Sequence, residues 1–274
     1  MLDELKNKFE NSDDLSFKKA ADQYGCHRTH ISRTLKDKFG IKHRKKVKAP
    51  KYRDQQQLDT ARRQCSRLER SFRNLSVVQD YESYFELFET IHDSYKSSEP
   101  KSAPDHIRYR QCEKFCPKIM VWIAGSEHGL SQPFIKTSKN AVNAELYQKQ
   151  CLLKWKSFID RFRNDGNYCF WPDKASSHCA ASTTAELTRL GIKFVPKSDN
   201  PTNLPQARPI EDFWSILKRK VWSTKNRPKT IDQLKRRIEY CIRNFDQDFA
   251  RRIFSSTKRR VRLCARENVL SAIH

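Results

Sequence analysis

From residue 75 onward the sequence alternates strand-like and helix-like stretches, and this alternation constrains the fold more than any other feature. Runs rich in β-branched and aromatic residues predict strands at LSVVQ, YFELFE, PKIMVWIAGS, YCFWPD and IKFVP, the first two as adjacent strands. Apolar residues at helical spacing predict helices at NAELYQKQCLLKWKSFIDRF, SHCAASTTAELTRLG and ARPIEDFWSILKRKVW. Strands and helices in this order predict an α/β fold, with a mixed sheet covered by helices.

The first 41 residues carry the pattern of three short helices around a small apolar core. Ser16 is a suitable N-cap for the second helix, Gly25 supplies a tight turn, and Gly40 ends the third helix. Helix, glycine turn and helix form the all-α helix-turn-helix pattern, whose second helix enters the major groove of DNA. A solvated helical hairpin without DNA binding fits the same pattern. The residues predicted to face DNA are Arg28, Thr29, Ser32, Arg33 and Lys36.

Positive charge dominates the composition. The formal net charge of +23, from 55 Lys and Arg against 32 Asp and Glu, favours a polyanionic partner, with nucleic acid ahead of a membrane. Residues 40–53 hold seven Lys or Arg and no acid, so we expect this basic linker to follow DNA phosphates. A solvated linker that serves nuclear import fits the same composition, and we predict a nuclear location. The phosphate contacts are expected from Lys42, Arg44, Lys45 and Lys46.

Two acids stand where an active site at a sheet edge would need them. Asp173 follows the apolar run YCFW, and Glu211 lies in RPIEDFW, on the first turn of a predicted helix. A strand end and an abutting helix can bring two carboxylates together, where such side chains can hold two divalent cations about 4 Å apart. Magnesium suits carboxylates because it is a hard cation. Each acid taken alone is more often a helix cap or part of a surface salt bridge.

Four stretches of the chain resemble motifs of the mariner superfamily of DNA transposases: VVQDYESYFEL, KIMVWIAGSEHGLSQPFI, FWPDKASSHCA and NLPQARPIEDFWSILKRKVW. They fall in the family's order. The resemblance implies an RNase H-like catalytic domain that cuts and rejoins DNA strands with three acids and Mg²⁺ or Mn²⁺. It places the second and third acids, as metal ligands, at Asp173 and Glu211, with 37 residues between them. It also implies double-stranded transposon ends as partners, and a homodimer.

The sequence departs from this family pattern in two places. Members usually carry two helix-turn-helix units, whereas this sequence contains one that resembles the second, and we therefore expect an N-terminally short copy. The family's first acid directly precedes the motif glutamate, but here Tyr81 precedes Glu82 and Asp80 stands one place earlier. Neighbouring side chains of a strand point to opposite faces, so Asp80 can serve as the first catalytic acid only if a bulge re-aims the strand.

Two functions remain open at this point, and a third, a basic scaffold for other proteins, has only the composition in its favour. A transposase would cleave DNA by metal-assisted phosphodiester hydrolysis and then transfer the strands, with Asp80 as the candidate for its first acid. A domesticated or decayed copy would act only as a DNA-binding protein. In either case we expect four segments: a helix-turn-helix domain at residues 1–41, a basic linker and connector helix at 42–74, an RNase H-like domain at 75–225, and a basic helical extension at 226–274.

Overall fold

The chain forms two compact units, Met1–Lys48 and Ala49–His274. The computed structural model describes residues 2–11, 15–42, 49–87, 104–109, 116–137, 142–162, 166–223 and 227–272. The four segment boundaries expected from the sequence stay predictions. No helix in the described ranges is long and apolar enough to cross a membrane.

The described residues of the first unit form three helices, α1 (Leu2–Asn11), α2 (Phe17–Gln23) and α3 (Arg28–Phe39). The Ser16 side chain accepts a hydrogen bond from the backbone of Lys19 and so caps α2. Gly25 (φ 60°) turns the chain between α2 and α3, and Gly40 (φ 66°) ends α3 in the left-handed conformation that glycine adopts without strain. The core that holds the three helices together is formed by Leu5, Ala20, Ala21, Ile31 and Leu35.

In the second unit, the residues that the structure describes form a five-stranded mixed sheet with helices on both faces. Its strands run in the order β3-β2-β1-β5, and β4 pairs with β2 as well. The strands are β1 (Ser76–Glu86), β2 (Lys118–Ser126), β3 (Gly129–Leu130), β4 (Phe134–Thr137) and β5 (Tyr168–Trp171). The helices are α4 (Gln55–Ser71), α5 (Asp105–Arg108), α6 (Ala144–Leu146), α7 (Leu153–Phe162), α8 (Ala181–Arg189), α9 (Ile210–Trp222), α10 (Ile231–Arg243), α11 (Gln247–Ser255) and α12 (Thr257–Arg266). A π-helical stretch, Tyr147–Leu152, joins α6 to α7, and a short 3₁₀ helix, Pro205–Ala207, precedes α9.

Side-chain alternation along β2 divides the core between the two faces of the sheet. Ile119, Val121 and Ile123 pack in the cluster that contains α9, α10 and α11. Met120, Trp122 and Ala124 point the other way, into the cluster that contains α7 and the π-helical stretch. A third cluster lies between α4 and α12 and reaches the start of β1. The α/β fold with a helix-covered mixed sheet is therefore confirmed.

Two strand predictions were wrong in detail. LSVVQ and YFELFE are not adjacent strands, because Ser76–Glu86 forms one continuous strand. The four residues between them, DYES, contain no glycine or proline, and all four pair with β2, so the extended backbone continues through them. IKFVP contributes only an isolated parallel bridge between Phe170 and Phe194, and Pro196 has no backbone N–H with which to extend it.

Candidate active site

The strand β1 carries Asp80 and Tyr81, the two candidates for the position beside Asp173 and Glu211. Its antiparallel pairing with β2 runs without interruption from Gln79↔Gly125 to Glu86↔Lys118, so the described strand has no bulge at Asp80. Tyr81 packs against the cluster of the sheet face that carries α9. Asp80 points to the opposite face and is completely buried. The alternation expected from the sequence is therefore present, and it separates Asp80 from Tyr81.

Asp173 lies two residues beyond β5, at the edge of the sheet, and its backbone is held from two sides. The Asp80 carboxylate accepts a hydrogen bond from the backbone N–H of Asp173 at 3.2 Å. The buried guanidinium of Arg208 donates to the carbonyls of Trp171 at 2.8 Å and Pro172 at 3.2 Å. The Asp173 side chain itself stays about a quarter exposed, with Oδ1 3.8 Å from Arg208 Nη1. The chain thus presents the Asp173 carboxylate to solvent from a fixed backbone.

Glu211 approaches the same place from the first turn of α9, directly after Pro209 and Ile210. The Tyr81 hydroxyl lies close enough to the Glu211 carboxylate for each group to shift the pKa of the other. Burial raises the pKa of Glu211; Arg208 opposes this shift, whereas the negative charge of Asp173 adds to it. Burial, together with the charges of Glu211 and Asp173, raises the pKa of Tyr81 to about 12. Tyr81 is therefore a neutral phenol at pH 7, and it stands beside the two acids.

These groups do not fit a two-metal site. Within the described ranges, no group of three or more His, Cys, Asp or Glu side chains is arranged to hold a metal ion. Asp173 and Glu211 offer two carboxylates, and both lie close to the positive charge of Arg208. Mg²⁺ and Mn²⁺ take oxygen ligands, and carboxylates serve this purpose far better than a neutral phenol. The position beside the two acids that faces them from β1 is filled by Tyr81.

Asp80 belongs instead to a buried polar cluster beneath the site. Its Oδ2 accepts hydrogen bonds from the Tyr147 hydroxyl at 2.6 Å and from Trp122 Nε1 at 3.0 Å, and it lies 3.4 Å from His178 Nδ1. His178 Nε2 is 3.5 Å from Glu82, and the imidazole stacks on the Tyr147 ring. Asp80 therefore supports the site from below, and it is not brought beside the Glu211 carboxylate.

The ionisation of this cluster follows from its burial and its pairing. Burial alone would raise the pKa of Asp80, but the charge of His178 and the hydrogen bonds of the cluster together lower it. Burial alone would lower the pKa of His178, yet Asp80 and Glu82 raise it to about 9. At neutral pH the pair is an imidazolium beside a carboxylate. This ion pair holds in place the Asp80 carboxylate, which accepts the hydrogen bond from the Asp173 backbone N–H.

Sequence reasoning found Asp173, Glu211 and the problem at Tyr81, but it missed Arg208 and His178. Both lie within the recognisable stretches, at RPIEDFW and DKASSH. Their residue types alone carry no signal, because a basic residue in a basic chain is usually solvated. A local cue did exist, since two acids on the same face of a strand, Asp80 and Glu82, require a positive partner if that face is buried.

In the first unit, the predicted DNA-facing residues lie on one side of α3. Arg28, Thr29, Arg33 and Lys36 are exposed and Ser32 is half-buried, while Lys42 is exposed beyond the helix end. The Thr29 backbone N–H donates a hydrogen bond to Nδ1 of His27, which caps α3. Arg44, Lys45 and Lys46 lie outside the described residues. The described side chains form the exposed polar face that was expected, and their contact with DNA stays a prediction.

Comparison with known proteins gives matches among solved structures. No family model matches the chain, and no curated protein matches it. A Mos1 transposase paired-end complex with left transposon end superposes with a TM-score of 0.76 at 18% identity, over 97% of this chain and 77% of the other. A Mos1 mariner paired-end complex with Mn gives 0.74 at 18% identity, over 96% and 77%. The catalytic domain of Mos1 mariner transposase gives 0.58 at 16% identity, over 80% and 96%.

The two paired-end complexes cover both the helical N-terminal unit and the sheet-containing unit. They confirm, at the level of the fold, the resemblance carried by the four sequence motifs. The chain has the fold of a mariner-like transposase, with an RNase H-like α/β domain preceded by helix-turn-helix elements.

Proposed function

We propose that this protein binds double-stranded DNA through the mariner-type fold, and that its natural sequence lacks the carboxylate set for strand cleavage. One observation carries the second half of this proposal. Tyr81 faces α9 and lies beside Glu211 and Asp173, while Asp80 is buried on the other face of an unbroken strand.

Three observations support DNA as the partner. The solved structures of similar fold include Mos1 complexes with a transposon end and a strand transfer complex. The chain carries a net charge of +23, which is typical of proteins that bind polyanions. The outer face of α3 presents the cations Arg28, Arg33 and Lys36 to solvent. A recognition helix with such a face contacts bases and phosphates in the major groove.

A matched pair of variants on α3 tests DNA binding. Arg33 lies on the exposed face described above, whereas Lys38 lies on the side of the helix nearer to the buried Ile31. Arg33→Gln should reduce the dependence of log Kd on log salt by about 0.9 if one phosphate contact is lost. Lys38→Gln should leave this slope unchanged. The measurement is fluorescence anisotropy of a labelled duplex, and equal slopes for the two variants would refute recognition by this face.

The expected loss of cleavage follows from charge. In phosphoryl transfer with two divalent cations about 4 Å apart, one cation activates the nucleophile and the other stabilises the leaving oxygen. Asp173 and Glu211 supply two carboxylates for this purpose, and Tyr81 supplies no charge because its pKa is about 12. The same high pKa argues against Tyr81 as a nucleophile, since a nucleophilic phenol would need a lowered pKa or an adjacent general base. We therefore expect little or no nicking by the natural chain.

The decisive experiment compares Tyr81→Asp with Tyr81→Asn. Both variants remove the phenol and are alike in size, but only the aspartate adds a carboxylate beside Asp173 and Glu211. Tyr81→Asp should bind Mn²⁺ at least tenfold more tightly in calorimetry and should gain Mn²⁺-dependent nicking of DNA, with Asp173→Ala as the blank. Nicking by the natural chain that disappears in Asp173→Ala would overturn the proposal. Equal Mn²⁺ affinity of the Asp and Asn variants would overturn it as well.

An active transposase is the second candidate. The observation in its favour is that Asp173 and Glu211, from separate elements, both lie close enough to influence the same phenol. The Mn²⁺ assay of the natural chain separates the two candidates directly. A nuclear location and a homodimer, both expected from the sequence and the family resemblance, stay predictions.

A further inference from the structure

The seam between α4 and α12 is a second basic surface, separate from the face of α3. The two helices pack through small and apolar side chains, among them Ala61, Cys65 and Val261. The Arg62 guanidinium donates to the carbonyls of Ala265 at 3.1 Å and Arg266 at 3.2 Å, and so fixes the end of α12 against α4. The seam is therefore a rigid part of the second unit.

A groove of about 180 Å³ runs along this seam. Four cations line it, namely Arg73, Lys258, Arg262 and Arg266, and its one acid is Glu69. Glu69 is already engaged, at 2.6 Å from Arg266 and 4.0 Å from Arg262. Neither Arg73 nor Lys258 has a carboxylate partner in the part of the chain that the structure describes. The groove therefore keeps an excess of positive charge.

The cations on α12 form a regular stripe. Lys258, Arg262 and Arg266 follow one another at intervals of four residues, so they lie on one face of the helix at steps of about 6 Å. The helix contains five Lys or Arg and no acid. Like charges at this spacing repel one another, and α12 offers them no negative partner of its own. An extended row of anions would relieve this repulsion.

We propose that this groove binds the phosphate backbone of a DNA duplex, as a contact additional to the helix-turn-helix. The proposal rests on the proposed function, because it assumes that DNA is the partner of the chain. The two apolar residues that line the groove, Phe72 (1% exposed) and Val261 (0%), are buried against the core and cannot contact a partner. This favours DNA over an acidic protein as the partner. The groove thus offers charge without the exposed aromatic or aliphatic anchors that dominate protein interfaces.

The test uses the full chain and two matched triple variants. The groove variant is Arg73→Gln/Lys258→Gln/Arg262→Gln, which leaves the Arg266–Glu69 pair intact. The control is Lys229→Gln/Lys235→Gln/Arg236→Gln, which removes three exposed cations at the start of α10 and just before it. If all three groove cations contact phosphates, the groove variant should lower the salt slope of duplex binding by about 2.7. The control variant should keep the slope of the natural chain.

Each outcome bears on the proposal in a distinct way. Because the substituted side chains are exposed or half-exposed, both variants should keep the thermal unfolding midpoint of the natural chain, which checks the fold. An equal fall in slope for the groove and control variants would mean diffuse charge and would overturn the groove assignment. An unchanged DNA slope with weaker binding of polyglutamate by the groove variant would assign the groove to an acidic protein. Failure of the unaltered chain to bind any duplex would instead refute the proposed function itself.

Discussion

The buried pair His178–Asp80 should make the stability of the second unit depend strongly on pH. Both side chains are completely shielded from solvent, with Nδ1 3.4 Å from Oδ2. The acids that face the imidazole are Asp80 and Glu82, with a longer-range contribution from Asp173, and together they raise the pKa of His178 from 6.5 to about 9. A group whose pKa is raised by folding stabilises the folded state most strongly when it is protonated in both states.

The size of this effect follows from the pKa difference. One pKa unit corresponds to about 1.4 kcal/mol, so a rise from 6.5 to about 9 corresponds to about 3 kcal/mol of stability. This contribution is fully present below pH 6.5 and is lost as the pH rises through about 9. Between pH 7 and pH 9 the second unit should therefore lose about 2 kcal/mol through His178.

Urea unfolding followed by tryptophan fluorescence measures this loss selectively. All five tryptophans (Trp122, Trp155, Trp171, Trp214 and Trp222) lie in the second unit, so the signal does not report on the first. The natural chain and His178→Gln are compared at pH 7 and pH 9. The other titratable groups are the same in both proteins. The difference in unfolding free energy between the two proteins isolates His178.

A second variant tests whether Asp80 causes the raised pKa of His178. In Asp80→Asn the imidazole loses its nearest negative charge, and only Glu82 and Asp173 then oppose burial, so the pKa of His178 should fall from about 9. That variant should therefore lose less stability than the natural chain between pH 7 and pH 9. If the natural chain and His178→Gln differ by the same free energy at pH 7 and pH 9, the buried ion pair does not exist as described.

Three further substitutions test other parts of the structure. Gly125→Ala should destabilise the second unit by about 1–3 kcal/mol in urea, because the new Cβ would lie 2.2 Å from Phe254 Cζ, and adding Phe254→Leu should recover part of the loss. Arg208→Met should cost about 3 kcal/mol, because it removes the donors to two buried backbone carbonyls and the cation beside Asp173; an unchanged urea midpoint would contradict this. Ser16→Ala should cost the first unit about 1 kcal/mol by circular dichroism, without any change in the tryptophan transition.

The sequence by itself determined the class of fold, and it pointed to the candidate site. The strands β2 and β5 could be read locally as continuous apolar runs, because both of their faces are buried. The helix α9 could be read because burial of one helix face imposes a period of about 3.6 residues. Motif residues then located Asp173 and Glu211. The alternation of a strand predicted that Asp80 and Tyr81 would face opposite ways, since that property belongs to the backbone and needs no distant partner.

Only the tertiary structure decided what the displaced acid does. Asp80 receives hydrogen bonds from Trp122 on β2 and Tyr147 on the π-helical stretch, and it pairs with His178, which lies beyond β5. None of these partners is near Asp80 in sequence. The same holds for Arg208, whose guanidinium reaches the carbonyls at the end of β5 from the segment before α9. Whether a buried charge is a ligand, an ion-pair partner or a support for the backbone depends on groups that the fold alone brings within hydrogen-bonding distance, and local periodicity carries no information about them.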